Sequence, residues 1–476
     1  MAEVLTPDIC VIGGGPAGIA LATKAARSAV PVILIEKSRM GGANLAYGSI
    51  PSKALIAAAG HYEVLRHGPA FGVTGAPLQV NFGKVSEHIR SVADAVAPHV
   101  SSERLAALGV RVIAAPARFL DRRTVIAGEF TINARRFVLA TGAVPAVPEI
   151  PGLAGIDYMT AESAFDITRK PSHLLVLGAN AHALEIAQAY TRLGVDTTII
   201  DGAPALPDDD PELAEVVLER LRAEGIRVRD RVALSGIARR RGGIRVTIAE
   251  GEGEAEVQVD GSHLLVAAGR SPNVADLGLD AAGVAFDRDG VVVDRHLRTT
   301  NRRVYAIGDV VAGPSAVNRG DYQAGRVLRA VLFRLPARDR STDVPVVTFT
   351  DPGLARVGLG AADALKRDSK VRILRFPFIE NDRAQAERMP SGFIKVVTSR
   401  RGRLLGAAIV GHDAGEQIAL WSFAIANRLG IESMLSFVPP YPARAEISRR
   451  VAETFYGPGL TPGWYRRIIE FLRKFG

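Results

Sequence analysis

An α/β chain with two Rossmann-like units and a C-terminal α+β domain is predicted by three features of the sequence. The β-branched run "DICVI" leads into a glycine-rich turn and a helical stretch, and the next strand, "VILIE", ends on an acid. The same order returns in "LLVLGANAHALEIAQAYTRLGVDTTIID", from Leu174 to Asp201. Two such units imply two nucleotide-type α/β domains. From about Val344 the pattern changes to "VVTFTDPGLARVGL" and "GFIKVVTSRRGRLLGAAIVG", followed by two helical stretches, which reads as an antiparallel sheet with helices.

The 476 residues exceed what one hydrophobic core holds, so several domains are required. The Pro-rich joint "VPAVPEIPGLAG" marks the crossing from the first unit, residues 1–152, into the second, residues 153–271. "HLLVAAGRSPN" and "RVYAIGDV" read as buried strands ending in glycine turns; the latter returns the chain to the first domain over residues 272–342. Residues 343–476 form the last domain.

Composition excludes several classes. Apolar residues at 47% and charged residues at 23% are those of an ordinary globular protein. No apolar run approaches the ~18 residues that cross a bilayer. The N-terminus has no basic stretch before an apolar core, so a cytoplasmic location is expected. The single cysteine, Cys10, lies inside "ICVIGGG". It excludes an internal disulfide and a cysteine metal site, and reads as a small buried strand residue. The net charge of +9 comes from arginines scattered along the chain, without a nucleic-acid motif, so it reads as solvated surface and nucleic acid is not expected as a partner. His61, His67, His88 and His99 share no ligand spacing and no metal site is expected; His182 reads as a structural helix-start residue.

The first glycine turn is Gly13-x-Gly15-x-x-Gly18. It permits a tight turn, close approach of a pyrophosphate to bare backbone, and close helix–strand packing, with Glu36 placed to accept bonds from a ribose diol. The second turn departs from this: Gly178 remains, but Asn180 and Ala183 occupy the next two positions. Asn180 adds a side chain where a pyrophosphate would press on backbone. Asp201 ends the following strand and favours a free 2′-hydroxyl, hence NAD over NADP. A βαβ unit that binds nothing is the alternative there.

These residues resemble the class I pyridine nucleotide-disulfide oxidoreductase family, the flavoprotein disulfide reductases. The landmarks run through nearly the whole chain: the first glycine turn with Glu36, Gly41-Gly42, "PSK" at Pro51 to Lys53, "ATG" at Ala140 to Gly142, "GRSPN" from Gly269, "AIGDV" from Ala306, "FTDP" from Phe349, and Pro442 with Glu446. The resemblance implies FAD- and NAD(P)-binding domains, a C-terminal dimerisation domain and a homodimer. It places FAD among Gly13, Gly15, Pro16, Ala17, Gly18, Gly41 and Gly42, with Glu36 on the adenosine ribose and Lys37 beside it. Thr141 and Gly142 flank the dinucleotide, Gly269 and Gly308 supply turns, and Asp309 holds the ribityl chain. Gly178 and Asp201 would serve a nicotinamide nucleotide, NADH in preference to NADPH. Lys53 would stand near flavin N5, paired with Glu185.

The chain departs from the family motif G-G-x-C-x-N-x-G-C-x-P-S-K at its reactive atoms. Asn44 and Ser49 replace the two cysteines and Ala46 replaces the motif Asn. Near the C-terminus, where the family has a His five residues before a Glu, Tyr441 precedes Glu446. Val317 and Asn318 stand where a Thr-His pair is usual. Neither Asn nor Ser forms a thiolate or a mixed disulfide, so disulfide reduction is excluded.

The expectation is an FAD-dependent oxidoreductase, with Lys53, Glu185, Tyr441 and Glu446 as its catalytic candidates. It would pass electrons from NADH through the flavin to a small-molecule acceptor of quinone or dye type. The alternatives are an inactive FAD-binding pseudoenzyme, or a flavin reduced by its own substrate. The tail "GWYRRIIEFLRKFG", residues 463–476, has the pattern of an amphipathic helix flanked by basic residues. It suits either a peripheral position at a membrane surface or packing on the dimer partner.

Overall fold

The computed structural model describes residues 3–75, 77–249, 251, 255–336, 338–456 and 463–475. The side chains of Trp464 and Arg466, which the tail pattern includes, lie outside the described residues, as does Gly476. Two compact units are formed: Met1–Ala205 with Arg222–Ser341, and Leu206–Leu221 with Thr342–Gly476.

In the first unit a five-stranded parallel sheet is centred on Ile9–Ile12. Val32–Glu36 and Val110–Ala114 lie to one side, Arg136–Leu139 and Val304–Ala306 to the other. All four residues of the central strand are buried, as a β-branched run covered on both faces requires. Helix Pro16–Arg27 starts with its proline in the first turn, where the fixed φ suits a helix and no N–H is missed. It packs Leu21, Ala22 and Ala25 into the core beside the sheet. Val304–Ala306 comes from far along the chain to pair with Arg136–Leu139, which brings "AIGDV" to the sheet edge where the first glycine turn emerges.

The second βαβ segment of this unit orders Arg227–Arg229, Asp196–Ile200, His173–Leu177 and His263–Val266 in a parallel sheet. A three-stranded antiparallel layer, Ala233–Arg240, Gly243–Ala249 and Val257–Gly261, covers it. Leu175, Leu177 and Val266 pack there against Ile237, Val246 and Ile248. A short antiparallel pair, Ala143–Pro145 with Arg270–Pro272, ties "ATG" to "GRSPN".

The second unit is built on a five-stranded antiparallel sheet, in the order Val346–Thr348, Gly353–Gly358, Leu404–Gly411, Phe393–Thr398, Arg372–Pro377. Trp421 of helix Ala414–Ala426 is fully buried, and its indole N–H donates to Ser448 Oγ at 3.0 Å, so the burial leaves no polar atom unpaired. The acidic run Asp209-Asp210 belongs to this unit: Arg356 reaches Asp209 at 2.7 Å and Lys395 reaches Asp210 at 2.7 Å.

Candidate functional site

The first glycine turn has the geometry a dinucleotide needs. Gly13 has φ +113°, and a Cβ there would lie 2.3 Å from the Ala140 carbonyl oxygen, so only glycine closes the turn. Gly15 caps helix Pro16–Arg27 in extended backbone, and a Cβ there would meet nothing within 4 Å. That space opens into a cleft of about 450 Å³. Gly13, Gly15, Pro16, Ala17, Glu36, Lys37, Gly42, Thr141, Gly142, Gly308 and Asp309 all line it. Gly18 lies buried in the helix, and Gly41 takes a left-handed turn at the start of helix Gly42–Ala46.

Local bonds hold these residues in place. Glu36 accepts from Gly14 N at 2.5 Å and from Ser38 N at 2.8 Å, locking the turn to the strand end. Thr141 Oγ1 donates to the Asn273 carbonyl at 2.8 Å, and Asn273 Nδ2 donates back to the Thr141 carbonyl at 2.9 Å. Gly308 N donates to Gln323 Oε1 at 2.8 Å, and Ser315 Oγ donates to Asp309 at 2.7 Å. Arg270, beside Gly269, also lines the cleft; its Nε pairs with the Asp309 carboxylate at 3.5 Å and its Nη2 donates to the Ala143 carbonyl. FAD fits this arrangement: the open face at Gly15 and the helix N-terminus suit a pyrophosphate, and the Arg270 guanidinium adds positive charge to the cleft wall.

The second glycine turn has the same backbone and a different cap. Gly178 repeats φ +113°, and its Cβ would lie 2.4 Å from the Ala267 carbonyl oxygen. Asp201 accepts from Ala179 N at 2.6 Å and Ala203 N at 2.9 Å, as Glu36 does in the first unit. Asn180 takes the place of Gly15 as the cap of helix Ala181–Arg192 with nearly the same φ, −78° in both. Its Oδ1 accepts from Ala183 N at 3.2 Å and its Nδ2 donates to the Ala267 carbonyl at 2.5 Å. The side chain is therefore folded back as an N-cap, which stabilises the helix by about 1 kcal/mol relative to alanine at that position and engages an N–H otherwise free for a phosphate. The ribose end of this unit suits a nucleotide; its pyrophosphate end is already capped.

Lys53, in the first turns of helix Ser49–His67, bonds Glu185 at 2.7 Å. Glu185 is 4% exposed and the Lys53 side chain 33%. The pair thus presents a fixed cation at the edge of a buried carboxylate. Around it stand charges that sequence reasoning did not gather. His182 is held below its ordinary pKa by burial, with Lys53 and Arg270 adding to the shift and Glu185 opposing it. Tyr47 lies between the two positions where the family carries cysteine. Burial raises its phenol above the ordinary range, the nearby Glu162 carboxylate adds to this, and Arg270 opposes it. Tyr47, Glu162 and Arg270 line the same cleft as Asn44 and Ser49.

Tyr441 and Glu446 belong to the second unit. Tyr441 is 75% exposed and its hydroxyl donates to Asp382 at 2.7 Å. That bond and the Asp382 charge raise the phenol pKa, with a smaller contribution from Glu446. Glu446 begins helix Glu446–Glu453 and pairs with Arg450 at 3.1 Å. Cys10 is fully buried in the central strand, and burial pushes its thiol far above the ordinary range, which removes it from any redox role.

Comparison with known proteins agrees with this geometry. Residues 7–324 match the model of the pyridine nucleotide-disulphide oxidoreductase family, and residues 344–452 match its dimerisation domain. Dihydrolipoyl dehydrogenase of Geobacillus stearothermophilus is 31% identical over 458 residues, covering 94% of this chain and 96% of that one. Mercuric reductase of Acidithiobacillus ferrooxidans is 34% identical over 465 residues, covering 94% and 82%. The crystal structure of LpdA from Mycobacterium tuberculosis superposes with a TM-score of 0.86 at 26% identity, covering 95% of this chain and all of that one. The family binds FAD and uses NAD(P), and the dimerisation-domain match supports a homodimer. This chain is a member of the pyridine nucleotide-disulphide oxidoreductase family, an FAD-dependent NAD(P)H oxidoreductase in which Asn44 and Ser49 stand where the redox disulfide would be.

Proposed function

We propose that the protein carries electrons from NADH through FAD directly to a small-molecule acceptor of quinone or dye type, in the cytoplasm and without a thiol relay. The observation that carries this reading is that Asn44 and Ser49 line the same cleft as the first glycine turn, with Ser49 on the helix that carries Lys53 and its partner Glu185. Bound FAD would supply two-electron acceptance from a nicotinamide and donation in one- or two-electron steps.

The chain's own residues hold charge and protons around that chemistry. Glu36 and Lys37 would hold the adenosine ribose end, Gly15 to Ala17 and Arg270 the pyrophosphate, and Asp309 the ribityl chain. The Lys53 ammonium, fixed by Glu185, would stabilise negative charge on the reduced ring by preorganised electrostatics. Tyr47, which lines the cleft with Glu162, Asn44 and Ser49, would donate its phenolic proton to an acceptor oxygen bound there. In the homodimer Tyr441 and Glu446 would face the partner's flavin. Asp201 favours NADH over NADPH.

A second reading rests on Asn180. Its cap engages one N–H of the nicotinamide cradle, which favours a flavin reduced by its own substrate. Steady-state turnover separates the readings. NADH oxidation with a quinone or dye, and none with lipoamide or glutathione disulfide, supports the first. Acceptor reduction that proceeds with an organic donor and never with NADH or NADPH supports the second.

A further inference from the structure

The dimerisation-domain match ends at residue 452, and beyond it Gly463–Leu472 forms a helix. Its last turn continues through a bond from Arg473 N to the Ile469 carbonyl at 2.9 Å. Projected at ~100° per residue, Ile468, Ile469, Phe471, Leu472 and Phe475 fall in one arc of ~160°. Arg467, Glu470, Arg473 and Lys474 fill an opposite arc of ~120°. By sequence Trp464 extends the first arc and Arg466 the second. No residue of one class falls in the arc of the other.

Among the described residues the apolar arc stays exposed to a large extent. Ile468 is 45% exposed, Phe471 and Leu472 59%, and Phe475 74%. The Phe471 and Phe475 rings meet edge to face at 5.0 Å, so they pack on each other within the tail. The opposite arc carries Arg466, Arg467, Arg473 and Lys474 against the single acid Glu470, in a chain of net charge +9. A second copy of this chain brings the same basic face and the same net charge to the contact. An anionic lipid surface instead complements the charge and accepts the apolar arc at the headgroup–acyl boundary. The helix is too short to cross a bilayer, and no described helix is long and apolar enough to do so.

We propose that residues 463–475 dock the protein on an anionic bilayer, with the Ile468–Phe471–Leu472–Phe475 arc in the interface and the basic arc among the headgroups. This inference stands apart from the assignment of an electron acceptor. The test uses full-length FAD-loaded protein and sedimentation with vesicles of phosphatidylcholine alone or mixed with phosphatidylglycerol. Binding is expected only to the mixed vesicles, and weaker at high salt. Ile468→Asp with Phe471→Asp should abolish it. Neutralising Arg467, Arg473 and Lys474 to Gln should weaken it on the order of 100-fold, from about fivefold per basic residue. Turnover with a soluble acceptor and the sedimentation coefficient should not change. Equal binding to both vesicles, or no binding to either, overturns the proposal. So does a change of oligomeric state in the Asp variant, which would assign the arc to a second copy.

Discussion

The Lys53 ammonium and the Glu185 carboxylate meet at 2.7 Å although 132 residues separate them. The bond joins the helix that begins at Ser49 to the helix that Asn180 caps, and so links the altered dithiol segment to the second nucleotide cradle. Lys53→Met leaves Glu185 buried without its cation. Because Lys53 is one-third exposed, the loss should fall toward the low end of the ~3–5 kcal/mol typical of broken buried pairs. The variant should unfold several degrees lower in a thermal scan and reduce its flavin more slowly in anaerobic stopped flow. Glu185→Gln, which keeps a polar partner, should lose less stability.

Asn180→Gly restores bare backbone at the second cradle. A glycine cap costs only a few tenths of a kcal/mol relative to asparagine, so Tm should barely move. The dissociation constant for NADH should fall several-fold, read by saturation of the flavin reduction rate. An unchanged constant would show that the Asn180 cap does not compete with the nucleotide.

Tyr47→Phe tests the proposed proton donor. The protonated phenol is the active form, and its raised pKa carries that form to higher pH than an ordinary tyrosine. Acceptor reduction should therefore stay level through neutral pH and decline only in the alkaline range. The Phe variant should lose about 100-fold in that step and lack the alkaline decline, with flavin reduction by NADH unchanged.

Cys10 is fully buried with a strongly raised thiol pKa. Thiol reagents should label it only after denaturation, and turnover of the native enzyme should survive prolonged treatment with an alkylating agent. Labelling that inactivates the folded enzyme would contradict a mechanism free of thiols.

Much of this architecture was legible in the sequence because it is local. The Gly13 and Gly178 turns, the strands before them and the acids Glu36 and Asp201 lie within single βαβ units, where spacing dictates geometry. The sequence presented Asn180 as an obstacle to pyrophosphate; its role as a cap follows from the preference of asparagine for that position and was readable in principle. The spacing of the two acids predicts ribose ligands, and their bonds to Gly14 and Ala179 add a local role in holding the turns. The gathering of Tyr47, Glu162, Arg270 and His182 was not legible. It depends on strand Arg270–Pro272 pairing with Ala143–Pro145 and on the packing of helices distant in sequence. Asp209 and Asp210 likewise joined the C-terminal unit through Arg356 and Lys395, partners that no local pattern marks.

The most direct test is a double-mixing experiment on FAD-loaded, alkylated enzyme without oxygen. NADH should bleach the flavin with no thiolate–flavin charge-transfer band, and a quinone added next should restore the oxidised spectrum. Bound FAD that stays oxidised with both NADH and NADPH, or reduced flavin that no quinone or dye reoxidises, would contradict the proposed function.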